Sequence, residues 1–295
     1  MFGCGWLLDR RCRLNLDTLV KLNIHIAIPA FLFHTIVSSP LDAALAGRVF
    51  AFSLTIILAM LAASALVGNL LGYRREETRA LQLGTMFYNS GNFGLPLMSL
   101  AYPVTGPLVQ VFIVLAQNIA TFTVGLLLAS SANSRGWRTL IPMLRQLSLW
   151  AVGAALITRA FAWPVREVRW LWVPLEYFSK AYIGLALVTL GVQMSQVTAR
   201  MSFSRISWAV GLRLIGGPLL ACALVGVFGF HGENARIMIL SSSFPTAVNS
   251  ALIAHEFNAD APFAAATVFY STLASMFTVT VVIAILRLPQ VCTMF

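Results

Sequence analysis

Charge is scarce in this 295-residue chain: Asp, Glu, Lys and Arg together make up 10%, while hydrophobic residues reach 59%. Soluble domains carry roughly a quarter charged residues, so a soluble globular domain is excluded and a polytopic membrane protein is expected. Acidic residues are the rarest, ten against twenty basic ones, for a net charge of +10. None falls in the middle of an apolar run; Glu76, Glu77, Glu256 and Asp260 all sit at ends. A proton relay built on a buried carboxylate is therefore not supported. The four cysteines, Cys4, Cys12, Cys222 and Cys292, form no CxxC pair, which argues against a disulfide framework or a zinc site. "HEFNA" has Ala259 where a zinc protease needs its second histidine. No basic stretch leads into a cleavable small-residue motif, so no signal peptide is expected. Short loops without an Asp, His or Ser cluster argue against a lipid enzyme, and the lack of an output domain against a receptor.

What the chain has in abundance is apolar runs of about 18 residues or more, the length a helix needs to cross a bilayer. Nine are visible: Leu19–Ser38, Val49–Tyr73, Leu81–Ala101, Leu108–Ser131, Leu140–Ala162, Tyr177–Ser195, Ile206–Phe230, Ile237–His255 and Pro262–Leu286. Basic clusters occupy alternate ends of these runs, at Arg10/Arg11/Arg13 with Lys21, Arg74/Arg75/Arg79, Arg135/Arg138/Arg145 and Arg200/Arg205. Such alternation is what cytoplasmic loops produce, so the positive charge calls for no nucleic-acid partner. One stretch, Arg159–Pro174 ("RAFAWPVREVRWLWVP"), breaks the trend with three further arginines, and its tryptophans suit an outer interfacial belt.

Around residue 135 the pattern restarts. Five runs follow, the fourth of them interrupted at "FPTAVNS", and the run "NSGNFGLP" (Asn89–Pro96) is interrupted in the same manner. These match in position only if one more span precedes Leu19, of which "MFGCGWLL" is the remnant. Eight residues rise only about 12 Å as helix against about 30 Å of hydrocarbon, so the first helix is expected to be truncated, a stub before nine full spans. An odd number of spans in each half inverts the second relative to the first, the inverted-repeat arrangement of secondary transporters. The expected fold is therefore an all-α membrane protein of two inverted five-helix repeats, residues 1–135 and 136–295, with two broken helices crossing.

The interruptions are costly unless used. Glycine in a helix interior costs about 1 kcal/mol and proline about 3, and hydrocarbon offers no water to the freed backbone groups. Asn89 and Asn92 each bring an amide that costs roughly 2–7 kcal/mol to bury without partners. A half-helix beginning at the break presents free N–H groups and a partial positive charge, suited to an anion.

The residues that carry a resemblance are now in hand. "NSGNFGLPL" is similar to the fourth-helix crossover of the auxin efflux carrier family, which includes bacterial permeases and the plant PIN auxin exporters. "FPTAVNSALIAHEFNADAPFAAATVFYST" (Phe244–Thr272) resembles that family's ninth helix, and "LNIHIAIPAFLFHTI" (Leu22–Ile36) its second. The resemblance implies a scaffold part, about 14–38 and 140–196, and a transport part, about 47–131 and 205–287, with a homodimer as the implied assembly. It also implies a permease for small organic carboxylate anions, such as malate, malonate or auxin-like acids, that works in the cell membrane by alternating access and performs no enzymatic chemistry. Asn89 matches the family's substrate-facing asparagine, Pro96 and Pro245 its crossover prolines, and Gln117–Asn118 a polar pair on helix five. Ser90, Asn92, Gly94, Thr246, Asn249 and Ser250 complete the expected substrate-binding set. No cofactor or metal is expected. The coupling ion, H+ or Na+, stays open, and a bile-acid-symporter-like cation-coupled carrier is the alternative.

Three further features have competing readings. Arg213 ("GLRLIGGP") lies inside a span and is expected either to snorkel to the cytoplasmic face or to attract an anion. His25 and His34, nine residues apart, are expected to be packed and hydrogen-bonded rather than a relay. Gly68 and Gly72 ("GNLLG") match GxxxG and suggest close helix packing.

Overall fold

The computed structural model describes residues 2–38, 42–125, 128, 147–196, 203–256 and 260–288. The repeat boundary near 135, the cluster Arg135/Arg138/Arg145, Arg200 and Cys292 lie outside the described residues. In chain order the helices are α1 (Phe2–Cys12), α2 (Leu16–Leu22), α3 (Ile28–Ser38), α4 (Ala43–Leu70), α5 (Arg75–Met86), α6 (Leu95–Ala101) and α7 (Gly106–Ala120), then α8 (Leu147–Ala160), α9 (Arg169–Gln196), α10 (Phe203–Gly211), α11 (Gly217–Val225), α12 (Gly232–Ser242), α13 (Val248–Glu256) and α14 (Ala261–Leu286). Among the described residues the only β pairing is one isolated bridge, so the all-α membrane class holds.

Among the described residues, six stretches are long and apolar enough to cross a bilayer: Leu16–Ser38, Ala44–Leu70, Gly106–Gly125, Arg169–Val192, Ser204–Val225 and Pro262–Leu286. Three of the nine expected spans are not among them, two of these for a physical reason. Leu81–Ala101 and Ile237–His255 are each split by extended backbone. The expected Leu140–Ala162 is described only from Leu147, as the 14-residue α8.

Prolines shape several of these helices. Proline lacks an N–H, and its ring collides with the carbonyl four residues back; a helix relieves the collision by opening the turn before it. Three wide π turns do this, each ending two residues before a proline: Asn23–Ala27 before Pro29, Ser90–Gly94 before Pro96, and Leu212–Gly216 before Pro218. The extra residue of the π turn moves the blocking carbonyl aside and lets helix resume.

The chain divides into two compact units that interleave in sequence. The first comprises Met1–Ala43, Gly91–Val111 and Pro142–Val197. Its centre is α9, against which α1, α3 and α6 pack. Gly5 is what lets α1 lie so close: a Cβ there would run into the Val188 carbonyl of α9. Deeper in the unit, Phe31 and Tyr182 rings meet at 5.0 Å, and the buried Asn23 amide donates to Thr189 Oγ1 at 2.7 Å. At the other end of the α1–α9 contact, the Asp9 carboxylate accepts from Ser195 Oγ and, at 2.8 Å, from Gln196 Nε2. Those donors hold its pKa below the ordinary carboxylate value.

Two of the three anomalous arginines of Arg159–Pro174 find their explanation in this unit. Arg159 Nη1 donates to the Ile36 carbonyl at 3.0 Å and Arg166 to that of Val37. Both acceptors are orphan carbonyls of the last turn of α3, where cations are favoured. His34 is packed as expected, stacked on Trp172 at 4.8 Å; His25 is instead exposed.

The second unit comprises Ala44–Ser90, Phe112–Ile141 and Thr198–Phe295. Here α14 packs on α5, α10, α12 and α13. Phe52 of α4 sits edge-on to Phe228 and Phe230, at 5.4 and 5.6 Å. The two glycines of "GNLLG" have separate jobs. Gly68 makes room for the Thr78 side chain. Gly72, with φ +65°, ends α4 in a left-handed turn that lets Tyr73 N donate to the Gly68 carbonyl at 2.9 Å. Glu77, near the start of α5, pairs with Arg205 at 2.5 Å.

Candidate functional site

One of the two interrupted runs stops where its sequence withdraws a helical donor. The run through α12 ends because Pro245 has no N–H and biases Phe244 away from helical backbone. Ser243 and Phe244 close the end with bonds to Leu240 and Ser241 carbonyls, at 3.0 and 3.3 Å. Helix resumes only at Val248. The run through α5 ends at Met86, and Phe87 is extended, with φ −103° and ψ 131°.

This first break lies earlier than expected. Gly91–Pro96 is not the gap: Ser90–Gly94 is a π turn and Leu95–Ala101 is α-helix, with Pro96 in its first turn. The extended residues are Phe87–Asn89. The π turn moves aside the carbonyl that the Pro96 ring would otherwise meet, so helix continues through it.

Within the second unit the two gaps bond to each other. Asn89 N donates to the Pro245 carbonyl at 2.8 Å, and Ala247 N to the Phe87 carbonyl at 3.0 Å. The result is an antiparallel bridge of Tyr88 with Thr246. Thr246 adds two bonds: its Oγ1 donates to the Gly84 carbonyl at 2.6 Å, and its N to Ser271 Oγ of α14 at 3.1 Å. Gly84 is small because a Cβ would press on Thr267 of α14, 3.1 Å away.

Arg213 completes the arrangement. It is wholly buried, so it does not snorkel. Its Nη1 donates to the Thr85 carbonyl at 2.6 Å and its Nη2 to that of Ser242, and its guanidinium lies 5.0 Å from the Tyr88 ring centre.

The expected site residues distribute as follows. Asn89, Ser90, Pro245 and Thr246 are buried in or beside the paired gaps. Ser250 is buried in the first turn of α13, its Oγ without a partner. Gln117 is buried on α7, faces the Tyr88 hydroxyl, and has neither amide atom in a hydrogen bond of standard geometry. The π turn Thr121–Gly125 that continues α7 packs on α13. Asn118 and Asn249 are half-buried and make no side-chain hydrogen bond among the described residues. Asn92, Gly94 and Pro96 belong to the first unit, so the peptide bond Ser90–Gly91 joins the units. Thr85, Tyr88, Gly84 and Ser271 were not singled out from the sequence; only Arg213, a charge beside a Gly pair in an apolar run, carried a visible signal.

In the first unit, Pro96 leaves Gly91 without the donor that a π turn would aim at its carbonyl five residues back. The buried Tyr182 hydroxyl donates to that carbonyl instead, at 3.0 Å. Tyr182→Phe is accordingly expected to lower stability by about 1 kcal/mol, and the loss to shrink in a Pro96→Ala background, where the backbone regains its own donor. A thermal-melt double-mutant cycle measures the coupling; strictly additive losses would count against the link.

A family model described as "Membrane transport protein" matches residues 13–138 and 145–283. The chain belongs to this family. It is the auxin-efflux-carrier-like family of membrane transport proteins that "NSGNFGLPL" resembles, and membership makes the chain a multi-pass membrane transporter. An uncharacterized transporter of Methanothermobacter thermautotrophicus is 25% identical over 264 residues, which cover 88% of this chain and 85% of that protein. Family and relative alike point to transport rather than to enzymatic chemistry.

Proposed function

We propose that this membrane transport protein is a secondary transporter that carries small organic carboxylate anions across the cell membrane by alternating access. The observation that carries the reading is the reciprocal bonding of the two gaps, Asn89 to Pro245 and Ala247 to Phe87. Helices are not broken inside a membrane protein and then stitched to each other without a use, because unwound backbone is tolerated only where it lines a cavity or is buried in protein. The surroundings suit an anion. No described acidic residue lies in the gaps, α13 begins there with its positive end, the Ser250 hydroxyl is buried without a hydrogen-bond partner, and the buried Gln117 amide faces the Tyr88 hydroxyl. Within the second unit, Asn89, Gln117, Asn118 and Asn249 supply amide donors, with Ser90, Thr246 and Ser250 as hydroxyl groups. The two halves act as inverted repeats, and the transport part moves against the scaffold.

Proteoliposomes test this. With choline replacing sodium and a potential positive inside, at least one of radiolabelled malate, malonate or indole-3-acetate is expected to accumulate. The limit for a monoanion is about fifty-fold at 100 mV, since that potential is worth about 2.3 kcal/mol per charge. Accumulation that requires a sodium or proton gradient would support the cation-coupled symporter instead. Failure of all three, with no thermal shift from any of a panel of carboxylates, would overturn the reading.

A further inference from the structure

We propose that Arg213 is a tethered cation that fills a cation site made by the unwinding itself, replacing the two backbone donors that the crossing of the gaps takes away. In an uninterrupted helix the Thr85 carbonyl would accept from Asn89 N, four residues on, and the Ser242 carbonyl from Thr246 N. Asn89 N goes instead to Pro245 O, and Thr246 N to Ser271 Oγ. The guanidinium takes both abandoned carbonyls, Nη1 at 2.6 Å on Thr85 and Nη2 on Ser242.

The charge fits as well as the geometry. Thr85 and Ser242 lie in the last turns of α5 and α12, and each helix C-terminus carries the equivalent of about half a negative charge. Two such ends sum to roughly one, which one guanidinium balances. No carboxylate pairs with Arg213 among the described residues, although it is wholly buried; a buried cation without a counter-charge is otherwise prohibitive. A second feature is cut to the same group. A Cβ on Gly217 would collide with both the Arg213 guanidinium and the Ser242 carbonyl, so the second glycine of "IGGP" keeps the path open. Arg213 is thus a positioning residue: it touches no substrate and acts by holding the two ends where the gaps can pair.

If so, emptying the site should make it bind a free planar cation. In purified detergent-solubilised protein, Arg213→Ala is expected to lower Tm by about 5–15 °C. Guanidinium chloride at about 5–20 mM, far below denaturing concentrations, is expected to restore at least half of that loss saturably. Choline chloride at equal ionic strength should restore none of it, and wild-type Tm should not respond to either salt. A role in packing alone would give no such rescue. If Arg213→Ala cannot be purified, even with guanidinium present throughout, Arg213→Lys and Arg213→Met decide. Lysine keeps the charge and methionine only the bulk, so the lysine variant should melt higher. A Met variant as stable as the Lys variant, or an Ala variant that guanidinium stabilises no more than wild type, overturns the proposal. These measurements need no substrate, so their failure is distinct from failure of the transport reading.

Discussion

Replacing Asn89 by alanine is expected to cut transport at least tenfold while the protein stays folded. The two contributions of this residue are separable. Its backbone N–H makes the bond to Pro245 that pairs the gaps, and alanine keeps that N–H. Its side-chain amide, on a residue only 6% exposed, is what alanine removes, and with it the donor proposed to meet the carboxylate. Loss of one neutral hydrogen bond is worth about 1 kcal/mol, so Tm should fall by no more than about 4 °C. A second substitution sharpens the expectation. Asn89→Asp is nearly isosteric but acceptor-only when ionised, and a negative charge there repels an anion; it should transport no better than alanine. Uptake at wild-type rates by Asn89→Ala, for every carboxylate that the wild-type protein carries, would remove this residue from the site. A large loss of Tm in Asn89→Ala would instead mean that the amide is structural.

The sequence made the broken helices visible because proline, glycine and asparagine are so costly inside an apolar run that their presence marks a discontinuity. It was less informative about where the discontinuity lies. In "FYNSGNFGLP" the interruption was expected over Asn89–Pro96, yet the chain is extended at Phe87–Asn89, before the glycines and Pro96. The reason is tertiary. A π turn accommodates Pro96 without unwinding, and the extended segment is instead fixed by what it bonds to about 160 residues further along the sequence, Pro245 and Ala247. Local propensity cannot report a partner so distant. Arg213 illustrates the same limit: its charge in an apolar run was conspicuous, but snorkelling was the natural expectation, because nothing local reveals two carbonyls abandoned by α5 and α12. Tyr182 gave no signal at all, being one aromatic among many until its hydroxyl is seen on the Gly91 carbonyl. The unit boundary at Ser90–Gly91 was equally hidden, since it falls inside one apolar run that composition treats as continuous.

The pairing itself is most exposed at Thr246, and Thr246→Val is expected to damage both stability and transport. Valine preserves the shape and β-branching, and Thr246 N still donates to Ser271 Oγ. What disappears is the hydroxyl donor to the Gly84 carbonyl, a 2.6 Å bond between fully buried groups. Water cannot replace it in the dry interior, so the carbonyl bears its full desolvation penalty of about 1–3 kcal/mol, which for a chain of this size corresponds to roughly 3–10 °C in Tm. Strain does not stay local, because Thr246 is the bridge partner of Tyr88, and Tyr88 is followed at once by Asn89. Loosening the bridge displaces the proposed donor, so transport should fall at least tenfold as well, with ligand-induced thermal shifts reduced in parallel. Thr246→Ser, which keeps the hydroxyl and drops only a methyl group, should recover most of both properties. This pattern separates Thr246 from Asn89: one substitution removes function through the architecture of the crossing, the other through the group it presents. If Thr246→Val melts like wild type and transports normally, the gaps do not depend on this bond, and the crossing is held by its backbone pairing alone.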